Sequence, residues 1–161
     1  MPAATFYLLA EAEAPADPNN DAERMLAYAC DVAARCYRNR QRVRVHCQNQ
    51  QQAEAFDELL WQRPVDAFVP HNLMGEGAGN SPVEISWVEE GTQSQRANAP
   101  VLINLAELFP AFTNRFQFAY DFVPSEDARK QQARERYKHY RAAGYELNTL
   151  PADQINENHN G

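Results

Sequence analysis

Short apolar runs of about five residues alternate along this chain with longer stretches in which apolar residues recur every three or four positions. That alternation constrains the fold more than any other feature. Thr5-Phe-Tyr-Leu-Leu9, Arg42 to Cys47, Ala67-Phe-Val69, Val83 to Val88, Val101 to Leu105 and Phe116 to Val123 read as strands. Between them, Ala22, Met25, Leu26, Ala29, Val32, Ala33 and Cys36 form one core-facing stripe behind Asn20 or Asp21 as cap. Asn49 caps a second helix through Ala53, Phe56, Leu59 and Leu60 to Trp61, ending before Pro64. A short helical piece is expected near Glu107 to Phe112. The last helix is expected from Ser125 to Ala143, closed by Gly144. Strands interleaved with helices predict a single α/β domain, with a largely parallel sheet and helices on both faces.

Length and composition narrow the functional classes. The 161 residues suffice for one domain, and 22 acids against 15 bases give a net charge of -7. General nucleic-acid binding and anionic-membrane binding both need the opposite balance. No stretch approaches the ~18 apolar residues of a membrane span, and Met1 to Ala10 lacks a positive leader and runs into Glu11 and Glu13. Three cysteines without a CxxC pair suit reduced thiols in the cytoplasm.

Motifs for chemistry are sparse. The segment after the first strand, Ala10 to Asp17, has no glycine, and its acids would repel a phosphate at the next helix. Gly75-Glu-Gly-Ala-Gly79 lacks the following Lys-Ser/Thr and precedes a strand, so it reads as a turn. His46, His71, His139 and His159 show no metal-ligand spacing. His71, between Pro70 and Asn72, is expected to make a structural hydrogen bond within its turn. No catalytic residue, metal or cofactor is expected.

The charge is uneven, and the last helix stands out. Ser125 to Arg141 holds six bases and three acids, whereas Met1 to Asp31 holds six acids and one base. At 100° per residue, Lys130, Arg134, Tyr137, Lys138 and Arg141 share about one third of the helix circumference, with Glu135 expected to point away. A basic stripe around a tyrosine suits an anion with an apolar or aromatic tip, or it is a solvated face. Trp61-Gln-Arg-Pro64 and Phe68-Val-Pro-His71 are core, or a partner surface if exposed.

Distinctive segments are Ala4-Thr-Phe-Tyr-Leu-Leu9, Leu60-Trp-Gln-Arg-Pro64, Phe68-Val-Pro-His-Asn-Leu-Met-Gly-Glu-Gly77, Pro82-Val-Glu-Ile-Ser-Trp87, Asp121-Phe-Val-Pro-Ser-Glu-Asp127, Ala133-Arg-Glu-Arg-Tyr137 and Gly144-Tyr145. Together these segments resemble the chi subunit of the bacterial DNA polymerase III clamp-loader complex. They run in order to about Thr149, so residues 1–149 are expected to form the domain and 150–161 a polar, frayed tail.

The resemblance implies a Rossmann-like, non-catalytic adaptor with two partners: the psi subunit and the acidic C-terminal tail of single-stranded DNA-binding protein, which ends in an aromatic residue and a free carboxylate. It places Lys130, Arg134, Tyr137 and Lys138 at the tail site, beside Arg141. There Arg134 would take the terminal carboxylate, Tyr137 would wall the ring pocket and the lysines would steer the preceding aspartates. It places Trp61, Phe68, Val69 and Pro70 at the psi surface, which in some relatives also serves an accessory repair helicase. Gln132, on the opposite helix face, stands where an apolar residue is expected. The alternative from another class is a nucleotide-dependent enzyme on the same fold. Direct contact with nucleic acid is not expected.

Overall fold

β-Branched and aromatic residues are concentrated in the inner strands VEISW and FAYDFV, and the sheet is parallel at every pairing among the described residues. A computed structural model describes residues 2–9, 18–62, 68–73, 81–88, 100–110 and 116–152. The elements in chain order are β1 (Ala3–Leu8), α1 (Pro18–Arg38), β2 (Val43–Cys47), α2 (Gln50–Gln62), β3 (His71–Leu73), β4 (Val83–Trp87), β5 (Val101–Asn104), β6 (Phe118–Val123), α3 (Asp127–Ala142) and β7 (Glu146–Pro151). The strand order is β3-β4-β2-β5-β6-β1-β7. From β1 the chain steps through α1 toward one edge, and from β6 it steps through α3 toward the other. With right-handed crossovers the two helices then lie on opposite faces, and β6 and β1 flank the point where the winding reverses.

Side-chain parity agrees with this layering. Tyr7, Val43, Val45, Val101, Ile103 and Phe122 pack in one core with α1 and α2. Ala4, Phe6, Leu102 and Ala119 pack in a second with Tyr140 of α3. The central strands β2, β4 and β5 are buried at every position rather than at alternate ones, as expected where a parallel sheet is covered on both faces.

The last helix ends as its sequence prescribes. Ala143 is the C-cap, and Gly144 follows at φ +93°. A Cβ added at Gly144 meets nothing within 4 Å, so only backbone conformation resists substitution there. Gly144→Ala is expected to cost about 1–2 kcal/mol, read as a lowered denaturation midpoint. An unchanged midpoint would show that the turn relaxes freely.

Four expectations need correction. The third strand is His71–Leu73; Phe68 and Val69, assigned to a strand by their apolarity, lie before it, and position 67 is outside the described residues. Glu107 to Pro110 is not helical, and positions 111 and 112 are outside the described residues. The first helix begins at Pro18, a residue well suited to a first turn. Finally, a seventh strand, β7, carries the sheet to Pro151 with Ala152 buried, two residues and more beyond the expected boundary. The Gly75–Gly79 turn and the 153–161 tail lie outside the described residues.

Candidate functional site

The sheet-facing edge of α3 does not close fully on β1, β6 and β7. A cavity of about 390 Å³ remains, lined by Phe6, Leu8, Val123, Ala133 and Tyr137, with Thr149 of β7 and the cations Lys130 and Arg134. Its walls are aliphatic and aromatic, its lining includes two cations, and no carboxylate lines it. Tyr137 is held edge-on to Phe6, ring centroids 5.3 Å apart, and the Arg141 guanidinium lies 5.3 Å from the Tyr137 ring centroid.

Thus three of the five stripe residues, Lys130, Arg134 and Tyr137, meet at one cavity, and Arg141 covers the tyrosine from outside. Lys138 does not line the cavity. Its Nζ is 3.5 Å from Glu135 Oε1, so Glu135, expected to point clear of the stripe, reaches its edge. Spacing of three residues brings those two side chains together on any helix. Arg134 Nη1 donates to Gln131 Oε1 at 3.4 Å. Among the described residues, no carboxylate lies in ion-pair range of Lys130, Arg134 or Arg141.

The other arginines of the helix have different work. Arg129 is 3.8 Å from the Glu126 carboxylate at the N-cap. Arg136 is buried: Nε donates to both oxygens of Asp121 at 3.1 and 3.0 Å, Nη1 to Glu107 O at 2.8 Å and Nη2 to Phe122 O at 3.0 Å. Asn104 Nδ2 also donates to Asp121 Oδ2 at 3.2 Å. This network pins α3 to β6 and fixes the register of the cavity wall. Burial, then the neighbouring Asp121 charge, pushes the Tyr140 phenol well above its ordinary value, so it stays neutral behind the cleft. The sequence did carry a signal for the network: Asp121 interrupts an otherwise apolar strand, and Arg136 lies off the stripe.

Gln132 is partly buried in a second, smaller cleft of about 180 Å³ beside Gln48, Gln52, Arg129 and Arg136. A polar residue is accommodated there by Gln48, Gln52, Arg129 and Arg136, with Met25, Leu105 and Pro124 also lining the cleft. Several backbone donors beside this cleft are engaged within the chain. Gln52 N–H donates to Asn49 Oδ1 at 2.8 Å, Glu107 N–H donates to Gln48 Oε1 at 2.8 Å, and Ala128 and Arg129 N–H donate to the Glu126 carboxylate. An acid at the start of α3 disfavours an anion there.

The second predicted surface is at the end of α2. Trp61 and Phe68 are 61% and 57% exposed, with ring centroids 5.2 Å apart. His71 underlies them: its ring is 4.9 Å from Trp61, Nδ1 is 2.7 Å from Val69 O and Nε2 is 3.1 Å from Asp57 O. The expected structural role for His71 is what these contacts describe. Pro70 is partly buried. Val69 is a correction: its side chain is buried in the main core, so it anchors the turn and presents no surface.

Elsewhere, Arg44, His46 and Ser86 form a buried row on β2 and β4, with Arg44 Nε donating to Ser86 Oγ at 2.8 Å. Burial, then the Arg44 charge, lowers His46 to about 4. The three cysteines are free and buried, and burial raises Cys36 to about 11. Among the described residues no His, Cys, Asp and Glu side chains gather as a metal site, and no helix is long and apolar enough to cross a membrane.

Against known families, residues 1–148 match the model of the DNA polymerase III chi subunit, HolC. The chain belongs to the chi subunit family. DNA polymerase III subunit chi of Escherichia coli K12 is 45% identical over 150 residues, covering 92% of this chain and 97% of that protein. The chi subunit of Haemophilus influenzae Rd is 41% identical over 147 residues, 91% of this chain and 94% of that one. That of Pseudomonas aeruginosa PAO1 is 32% identical over 130 residues, 81% and 88% respectively. Among solved structures, Saccharomyces cerevisiae Dbp5 bound to RNA and ADP BeF3 superposes with a TM-score of 0.61 at 10% identity. The match covers 96% of this chain and 43% of that one, so this chain spans less than half of it and shares the fold of the matched part.

Proposed function

We propose that the protein is a non-catalytic adaptor in DNA replication, joining the clamp-loader complex, through psi, to the acidic C-terminal tail of single-stranded DNA-binding protein. The observation that carries this reading is the cleft beside α3: an apolar, tyrosine-walled cavity rimmed by Lys130 and Arg134 with no carboxylate in its lining. A terminal phenyl ring fits among Phe6, Val123 and Tyr137, and its free carboxylate is the natural partner of the Arg134 fork. Arg141 and Lys138, farther along the helix, steer the preceding acidic residues. Family membership in the chi subunit of DNA polymerase III supports the replication setting, and a cytoplasmic location belongs to the same reading.

The test is a titration of the full chain with a fluorescent acidic peptide ending in phenylalanine. Binding is expected to weaken as salt rises and on amidation of the peptide's C-terminus. Equal affinity for the acid and the amide would overturn the carboxylate assignment.

Trp61 and Phe68 serve psi in this reading, with Pro70 at the margin and Val69 as support beneath. An exposed aromatic pair is the kind of anchor that partner surfaces use. Phe68→Ala is expected to shift stability by less than about 0.5 kcal/mol while abolishing co-purification with psi and sparing the peptide affinity. Retention of psi, or loss of both activities, would refute the assignment.

A further inference from the structure

We propose that the acidic peptide also pairs, as an added strand, with the outer edge of β7, so that the α3 cleft is one side of a site that continues across that edge. The occupant rests on the reading above; the edge pairing rests on separate observations. β7 ends the sheet, with no strand beyond it among the described residues. Glu146 N–H donates to Pro2 O, while Ala3 N–H donates to Gln117 O beside β6. In a parallel ladder these two bonds set the parity of both strands. Glu146, Asn148 and Leu150 turn their backbone groups inward to β1, and Leu147 and Thr149 turn theirs outward. Pro151 has no N–H and closes the edge after two outward residues.

A strand added there lies about 4.8 Å from β7 and sends alternate side chains to opposite faces of the sheet. One face leads to the α3 cavity, which Thr149 lines beside Lys130 and Arg134. The other leads to a cavity of about 430 Å³, again bordered by Thr149, with Arg35, Asn39, Gln41 and Asn148 at its polar wall and Tyr120 beneath. Arg35 is held by the Tyr7 hydroxyl at 3.0 Å and lies 5.2 Å from the Tyr120 ring centroid. Neither cavity is lined by a carboxylate, and each is lined by at least one arginine. An extended acidic peptide therefore meets Lys130 and Arg134 on the α3 face, backbone partners at the edge, and on the other face a polar wall backed by the buried Arg35, with Glu146 the exposed acid at the start of β7.

The experiment is residue-resolved amide hydrogen exchange on the full chain, free and saturated with the acidic, Phe-terminated peptide. A scan of peptides carrying a single backbone N-methyl group runs alongside it. On binding, the Leu147 and Thr149 amides are expected to slow about tenfold or more while Asn148 and Leu150, already bonded to β1, change little. N-methylation is expected to weaken binding at alternate peptide positions. If the peptide binds with Arg134-dependent affinity but leaves Leu147 and Thr149 unprotected, edge pairing is wrong and the cleft reading stands. If those two amides are already protected in the free protein, the edge is occupied and the proposal fails. Failure of the peptide to bind at all overturns both readings.

Discussion

Replacing Arg136 with methionine is expected to destabilise the protein by about 3–5 kcal/mol, although it removes only one of the six bases between Ser125 and Arg141. The guanidinium satisfies both oxygens of buried Asp121 and two backbone carbonyls. The apolar stem can be replaced; the donors cannot. Methionine leaves Asp121 as an uncompensated charge inside the fold, and that penalty exceeds the loss of the hydrogen bonds themselves. For a domain of this size the expected fall in the thermal midpoint is roughly 6–20 °C. Removing the charge as well, in Arg136→Met with Asp121→Val, is expected to recover part of the loss. A single variant that melts like the parent would show that Asp121 finds another partner.

Two residues earlier, removing an arginine should have the opposite consequence. Arg134→Ala is expected to leave stability within about 0.5 kcal/mol of the parent, because the side chain is exposed and its contact within the protein is a 3.4 Å bond to Gln131. Affinity for the acidic, Phe-terminated peptide should fall roughly ten- to hundredfold, the scale of a charge-assisted bond to a carboxylate. Amidation of the peptide should weaken binding to the parent far more than to the variant, since both changes remove one interaction. Additive losses would place the carboxylate elsewhere, and an unchanged affinity in Arg134→Ala would remove it from the cleft altogether.

Arg134 and Arg136 also mark how far the chain can be read without its fold. Helical periodicity separates them by 200° and puts Arg134 in the stripe with Lys130 and Tyr137. What Arg136 meets depends on Asp121, fifteen residues earlier on β6, and only packing joins them. The same limit explains Trp61 and Phe68. Their apolarity fits a core as well as an interface, and the ring of His71, hydrogen-bonded beneath them, leaves them outside. Val69 shows the converse, an apolar neighbour of an exposed pair that turns inward. β7 left almost no local trace: Leu147 and Leu150 are three apart, so period-two alternation is missing. It becomes a strand because β1, at the other end of the chain, offers it a ladder.

From local pattern alone the amino-acid sequence determined the parallel α/β class, two of the three helix stripes and the basic face of α3. These follow from neighbours within a few residues, where side-chain period and capping act. Tertiary structure alone decided that the basic face overhangs an apolar cavity, that one of its arginines is an internal strut, and that Thr149 closes the cleft from an edge strand. The cleft depends on β1, 118 residues of chain away from α3 (9 to 126), lying between β6 and β7 in the sheet, and the strut on Asp121 and Glu107, 15 and 29 residues before Arg136; burial and hydrogen bonding at such separations are properties of the packed molecule rather than of any segment.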